Sequence, residues 1–250
     1  MLALQMDLNR QIQNKLKSLK PPRDKEALRK WAKSHLNLSA VDTQLHETTL
    51  DSFLDGNAGF VYSAYSTNAM LDLVLDNAAV LLSMGMYEQA LLNAYAGARR
   101  DFRDWPTSVL QMMFDLGERP AMWEAGDEIP SPEPLTVYRG VNGRRGKRRV
   151  RGLSWTRSLD VACFFACPEW AFLHGGPPLD PGVYQATVRQ SDIYAIVKNR
   201  SEEEVIARPR YPRRLSLSSN DLIAGKDRYK QAIQDENQAR LLKLKARRQN

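Results

Sequence analysis

The sequence predicts an α+β protein, with a helical N-terminal region, a core of short strands around one helix, and a basic C-terminal helix. Two observations predict it. Apolar residues recur every three or four positions through the first half, whereas after Pro134 they alternate or form short aliphatic blocks. The change falls at Pro130-Ser131-Pro132-Glu133-Pro134, a stiff connector rather than a flexible one. The expected divisions are therefore 1–130 (helical region), 131–215 (strand-rich core) and 216–250 (basic helix or tail).

Each element follows from local pattern. Leu4, Leu8, Ile12 and Leu16 lie four apart and mark a first helix, which Lys20-Pro21-Pro22 stops. A second helix runs from Asp24 to about Leu36, with a narrow stripe of Leu28, Trp31, Ala32 and His35. Ser66–Leu82 and Tyr87 to about Arg99 read as two helices joined by Ser83–Met86, hence an antiparallel hairpin. Thr107–Leu116 is a further helix ended by Gly117, and Pro120 and Pro130 mark the exit from the helical half. Strands are expected at Leu135–Tyr138, around Leu153 and Trp155, at Val183–Val188, at Ile193–Val197 and at Glu204–Ala207. A short apolar helix, Asp160–Ala166, starts from Ser158 or Asp160 as its cap. Leu222–Arg248 is a long polar helix rich in Lys and Arg.

Bulk properties narrow the function without naming it. The net charge of +7 and pI near 9.4 favour an anionic partner or ligand. Cys163 and Cys167, four apart on a helix, share a face and suit small buried residues in a reducing compartment. No stretch has the pattern of a signal peptide, and the longest apolar run, Met70–Leu82, is broken by Asp72, Asp76 and Asn77. A cytoplasmic location is expected. His35, His46 and His174 lack metal-ligand spacing, and no CxxC, HExxH, phosphate-binding glycine loop or Ser-His-Asp set is present.

Three pieces remain that carry chemistry. Arg139 ends an apolar strand and precedes Gly140, where a ligand can approach the backbone and a guanidinium can grip phosphate; an edge-strand Arg before a turn is the plainer reading. Ser154 lies between Leu153 and Trp155, so its hydroxyl is directed away from both, as that of any strand serine would be. Glu202-Glu203-Glu204 leads into Val205-Ile206-Ala207. Strand alternation directs Glu202 and Glu204 one way and Glu203 the other, and Glu204 falls at a cleft edge; a solvated acidic turn is the alternative.

Together these residues resemble the Arg-Ser-Glu class of mono-ADP-ribosyltransferases. The aromatic-Arg element is matched by Tyr138-Arg139. The Ser-x-Ser/Thr strand running into a helix is matched by Ser154-Trp155-Thr156, then Ser158-Leu159-Asp160-Val161-Ala162 and Phe164-Phe165-Ala166. The Glu-x-Glu element is matched by Glu202-Glu203-Glu204-Val205-Ile206. The match covers roughly residues 135 to 208, and helices ahead of Val-Tyr-Arg-Gly resemble uncharacterised phage and bacterial members. Two features depart from the pattern: only a short loop separates Arg139 from Ser154, and Trp155 interrupts the Ser-Thr-Ser sequence.

The resemblance implies a β-sandwich core and NAD as co-substrate, without a metal. Arg139 would anchor the NAD phosphate or nicotinamide ribose, and the Gly140 backbone would bond the carboxamide, with Tyr138 and Thr156 also on the NAD side. Ser154 would hold Glu204. Glu204 would bond the ribose hydroxyl and stabilise the charge that develops as nicotinamide leaves. Glu202 would orient or activate the acceptor; a Glu there goes with a protein arginine, which makes protein a better acceptor than nucleic acid. The basic loop Arg144–Arg151 offers a grip for an anionic partner. Two rival readings are a non-catalytic nucleic-acid-binding or inhibitory protein on the same scaffold, and an NAD glycohydrolase that uses water as acceptor.

Overall fold

The computed structural model describes residues 2–97, 105–141, 150–167, 180–198 and 202–248. The chain divides into two compact units, Met1–Gly126 and Asp127–Asn250.

The first unit is helical. Helices α1 (Leu2–Ser18) and α2 (Lys25–His35) lie where the apolar stripes place them, and the Asp24 carboxylate caps α2 by accepting from the Ala27 N–H at 2.8 Å. Helix α3 (His46–Leu54) and a 3₁₀ turn at Ala58–Ser63 follow; the sequence pattern does not announce either. The single helix expected over Ser66–Leu82 is instead two, α4 (Ala69–Asp76) and α5 (Ala78–Ser83). The break is at Asn77, which is fully buried. Its Oδ1 accepts from the Asn37 N–H at 2.7 Å, and its Nδ2 donates to the carbonyls of Asn37 and Leu73, each at 2.8 Å. An amide that fastens a distant loop in this way competes with the helix ladder.

Gly85, with φ of 66°, makes the left-handed turn into α6 (Tyr87–Gly97). Helix α7 (Thr107–Leu116) follows, and the buried Tyr87 hydroxyl donates to the Met113 carbonyl at 2.7 Å. Pro120, expected to end the helical half, lies in the first turn of another helix, α8 (Arg119–Ala125). Proline is favoured there because the first helical N–H groups have no intrahelical partner.

The second unit holds the sheet. Its elements are β1 (Leu135–Val141), β2 (Ser154–Thr156), α9 (Leu159–Ala166), β3 (Gly182–Val188), β4 (Ile193–Val197), β5 (Glu204–Ala207), β6 (Arg213–Arg214) and α10 (Ser219–Arg248). The strands form one antiparallel sheet in the order β4-β5-β2-β1-β3-β6. Val137, Trp155, Val188, Ile193, Ile196 and Val205, from five strands, share one buried cluster. A register shift between Ile193 and Ala195 bends β4.

Helix α9 covers the other face, and α10 packs on α9. Ala162, Cys163, Ala166 and Cys167 meet Val183 and Leu222 in a second buried cluster. Phe164 and Tyr229 pack edge-on, with centroids 5.2 Å apart. The Arg228 guanidinium grips Asp160 with two hydrogen bonds, at 3.0 and 2.6 Å. The helix set apart by sequence at 216–250 thus belongs to the same compact unit as the strands. None of the described helices is long and apolar enough to cross a membrane.

Candidate active site

Strand register builds the site. Tyr138 pairs with Thr156, Thr156 with Glu204, and Glu204 with Val197, so these residues form a row across four strands. Ser154 pairs with Ile206, two residues from the Thr156–Glu204 pair. It therefore shares a face with Glu204 as its diagonal neighbour, within side-chain reach. The Ser154 hydroxyl donates to Oε1 of Glu204. Glu204 is only 7% exposed, and a buried carboxylate needs such partners to offset its lost hydration.

Arg139 joins the same network. The β1–β2 ladder records one pair, Tyr138 with Thr156, and beyond it the Arg139 guanidinium donates to the Ser154 carbonyl. A Cβ built on Gly152 would lie 2.3 Å from one Arg139 terminal nitrogen and 2.7 Å from its Cζ. The missing side chain at Gly152 is what admits the guanidinium. Sequence reasoning passed over Gly152; the only signal was a glycine just ahead of Leu153-Ser154. Arg139, Ser154 and Glu204, up to 65 positions apart in sequence, are thus linked by two hydrogen bonds through Ser154.

Gly140 lies directly against α9. A Cβ there would fall 2.0 Å from the Ala162 carbonyl oxygen and 2.7 Å from the Ala166 nitrogen. The space beside Gly140 is filled by the backbone of α9, so the absent side chain lets that helix lie close on β1. Tyr138, on the same face, packs half-buried against the α9 cluster.

The acidic stretch is a turn before a strand. Glu203 has φ of 45°, the only non-glycine residue with positive φ among those described, and β5 starts at Glu204. Strand alternation therefore does not run through Glu202 and Glu203, contrary to the expectation from sequence. The end of β2 holds this turn. Buried Thr156 donates from Oγ1 to the Glu202 carbonyl at 2.6 Å and accepts from the Ser158 N–H at 3.0 Å. The Arg157 N–H donates to the Glu203 carbonyl at 3.3 Å, and its Nε donates to the Glu203 carboxylate at 3.2 Å.

A cleft of about 560 Å³ opens beside this turn, lined by Arg157, Ser158, Lys198 and Glu203, with Tyr229 and Glu236 from α10. Arg139, Ser154 and Glu204 do not line it. Burial, then the charges of Glu202 and Glu236, push the Tyr229 phenol up to about 12, so half-buried Glu202 lies near Tyr229. Burial, then Asp160 and Cys167, likewise push the Cys163 thiol up to about 11, where it is a poor nucleophile. Among the described residues, no three His, Cys, Asp or Glu side chains are placed to hold a metal ion. In the basic loop, residues 144–149 lie outside the described residues.

Comparison with protein families, with curated proteins and with solved structures finds no match. The functional reading therefore stands on the geometry and on the sequence resemblance.

Proposed function

We propose that this protein is an NAD-dependent mono-ADP-ribosyltransferase, with its catalytic residues in 127–250. The observation that carries the reading is the hydrogen bond from Ser154 to buried Glu204, with Arg139 tied to the same serine. A serine that orients a buried carboxylate, next to an anchored guanidinium, suits a substrate with both a phosphate group and a developing positive charge.

The residues fit NAD in kind. A guanidinium is a planar fork of N–H donors that matches phosphate oxygens, and this suits Arg139 to that group. Glu204, held by Ser154, bonds the ribose hydroxyl and faces the anomeric carbon. The bond from that carbon to the nicotinamide nitrogen breaks, and nicotinamide leaves with the electron pair. The resulting oxocarbenium-like charge is stabilised by the carboxylate, as in glycoside cleavage. The acceptor nitrogen then forms the new bond and loses its proton to Glu202. Protein arginine is the acceptor that the resemblance favours.

The test is incubation with labelled NAD and a cell lysate, followed by separation of protein-bound from nucleic-acid-bound label. Wild type should label protein and release nicotinamide. Glu204→Gln should lose about 10²–10³ in rate, the usual effect of removing a charge-stabilising group, with the fold intact. Full turnover in that variant would overturn the assignment, and nicotinamide release without any labelled macromolecule would point to a glycohydrolase.

A further inference from the structure

We propose that Arg157 is a positioning residue: it holds residue 203 in the left-handed conformation and so sets where the carboxylates of Glu202 and Glu204 stand. This rests on the ADP-ribosyl transfer reading of those two glutamates, and extends it to a residue outside the Arg-Ser-Glu set. Three observations carry it.

First, Glu203 has φ of 45°. A side chain with a Cβ resists that region, and glutamate lacks the short polar group that lets Asn or Asp occupy it. Something outside the residue must hold it there. Second, Arg157 contacts Glu203 twice, through its backbone N–H at 3.3 Å and through Nε at 3.2 Å. Third, Arg157 is itself fixed. Its Nη1 donates to both oxygens of Glu128 at 3.2 Å, and Glu128 is also paired with Lys198 at the end of β4. A planar guanidinium held on one edge by Glu128 presents its other donors in a set direction to Glu203.

The consequence is geometric. An extended residue at 203 would continue the strand back from Glu204. The left-handed residue instead turns the chain, so the Glu202 carbonyl meets Thr156 and the Glu202 charge lies near Tyr229. Loss of the clamp would free the Glu202 carboxylate and loosen the entry to β5, and with it the first strand residue, Glu204. A misplacement of about 1 Å costs on the order of 10²-fold in rate at a reacting centre.

The experiment compares full-length wild type with Arg157→Ala, Arg157→Lys, Glu203→Val and the double variant Arg157→Ala/Glu203→Asn. Nicotinamide release and amide hydrogen exchange across Glu202–Val205 are both measured. Arg157→Ala should lower kcat by about 10²-fold with KM for NAD little changed, and should speed exchange in the turn. Glu203→Val should do the same with Arg157 in place, because a β-branched residue rejects positive φ. Arg157→Ala/Glu203→Asn should recover most of the loss in both readouts, because Asn adopts the left-handed region on its own. Arg157→Lys, a folded control that keeps the charge but not the fork, should fall between. Unchanged kcat and exchange in Arg157→Ala would overturn the proposal, as would Asn failing to rescue while Val proved harmless. If wild type releases no nicotinamide, the transferase reading fails, and exchange alone still decides whether Arg157 holds the turn.

Discussion

A glutamate in the left-handed region costs about 1–2 kcal/mol against an extended one, and nothing in its identity advertises that conformation. At the residue scale this marks the limit of the sequence. Ser154, Glu204 and Arg139 were legible because each is a polar residue placed against an apolar strand. Glu203, Arg157 and Gly152 were not, because their roles depend on partners 29 to 46 residues away or on a neighbour's side-chain volume. Gly140 was legible as special, and its absent side chain also serves the approach of α9. Gly140→Ala should therefore destabilise the fold by at least about 1–3 kcal/mol, the usual cost of overpacking, since the clash is with helix backbone that cannot rotate away. Urea unfolding measures this, and an unshifted midpoint would mean that α9 does not lie on β1 at this point.

At the element scale, the pattern of 3.6-residue and two-residue periods placed most helices and strands within a residue or two. The misses have local causes: the buried Asn77 splits one helix, Pro120 begins a helix where it was expected to mark the exit from the helical half, and β6 has only two residues. The entry to the sheet depends on charge. The Asp127 N–H donates to the Ile196 carbonyl at 2.9 Å, and the Lys198 N–H donates to the Asp127 carboxylate at 2.7 Å. Glu128 beside it bonds Lys198 and Arg157, and these partners, Lys198 first, hold its carboxyl below the usual glutamate value. A carboxyl with a lowered folded pKa adds stability above its unfolded value of about 4.3, and that stability fades as pH falls through the lower folded value. Wild type should therefore exceed Glu128→Gln in melting temperature near neutral pH, and the gap should close in acid below about pH 4. A gap that stays constant down to acid pH would show that the Glu128 charge does not stabilise this segment. The pairs are partly exposed, so the gap should also shrink with added salt.

At the scale of the whole chain, the basic surplus is unevenly placed. Of 36 Lys and Arg residues, 23 fall in 127–250 with 14 of the 29 acidic ones, so this half is strongly positive while residues 1–126 are slightly negative. The positive half also holds the sheet and each of Arg139, Ser154, Glu202 and Glu204. That concentration favours anionic ligands by long-range attraction that salt screens. Each unit has about 125 residues, an ordinary size for a domain. Both apolar clusters of the sheet and its covering helices are built from residues of 127–250 alone. A fragment of Asp127–Asn250 should therefore unfold cooperatively by circular dichroism without the first unit. If the transferase reading holds, it should also release nicotinamide from NAD, with KM rising as ionic strength increases. A fragment without a cooperative transition would show that the sheet depends on residues 1–126. A folded but inactive fragment would instead place an essential part of the chemistry in the helical unit.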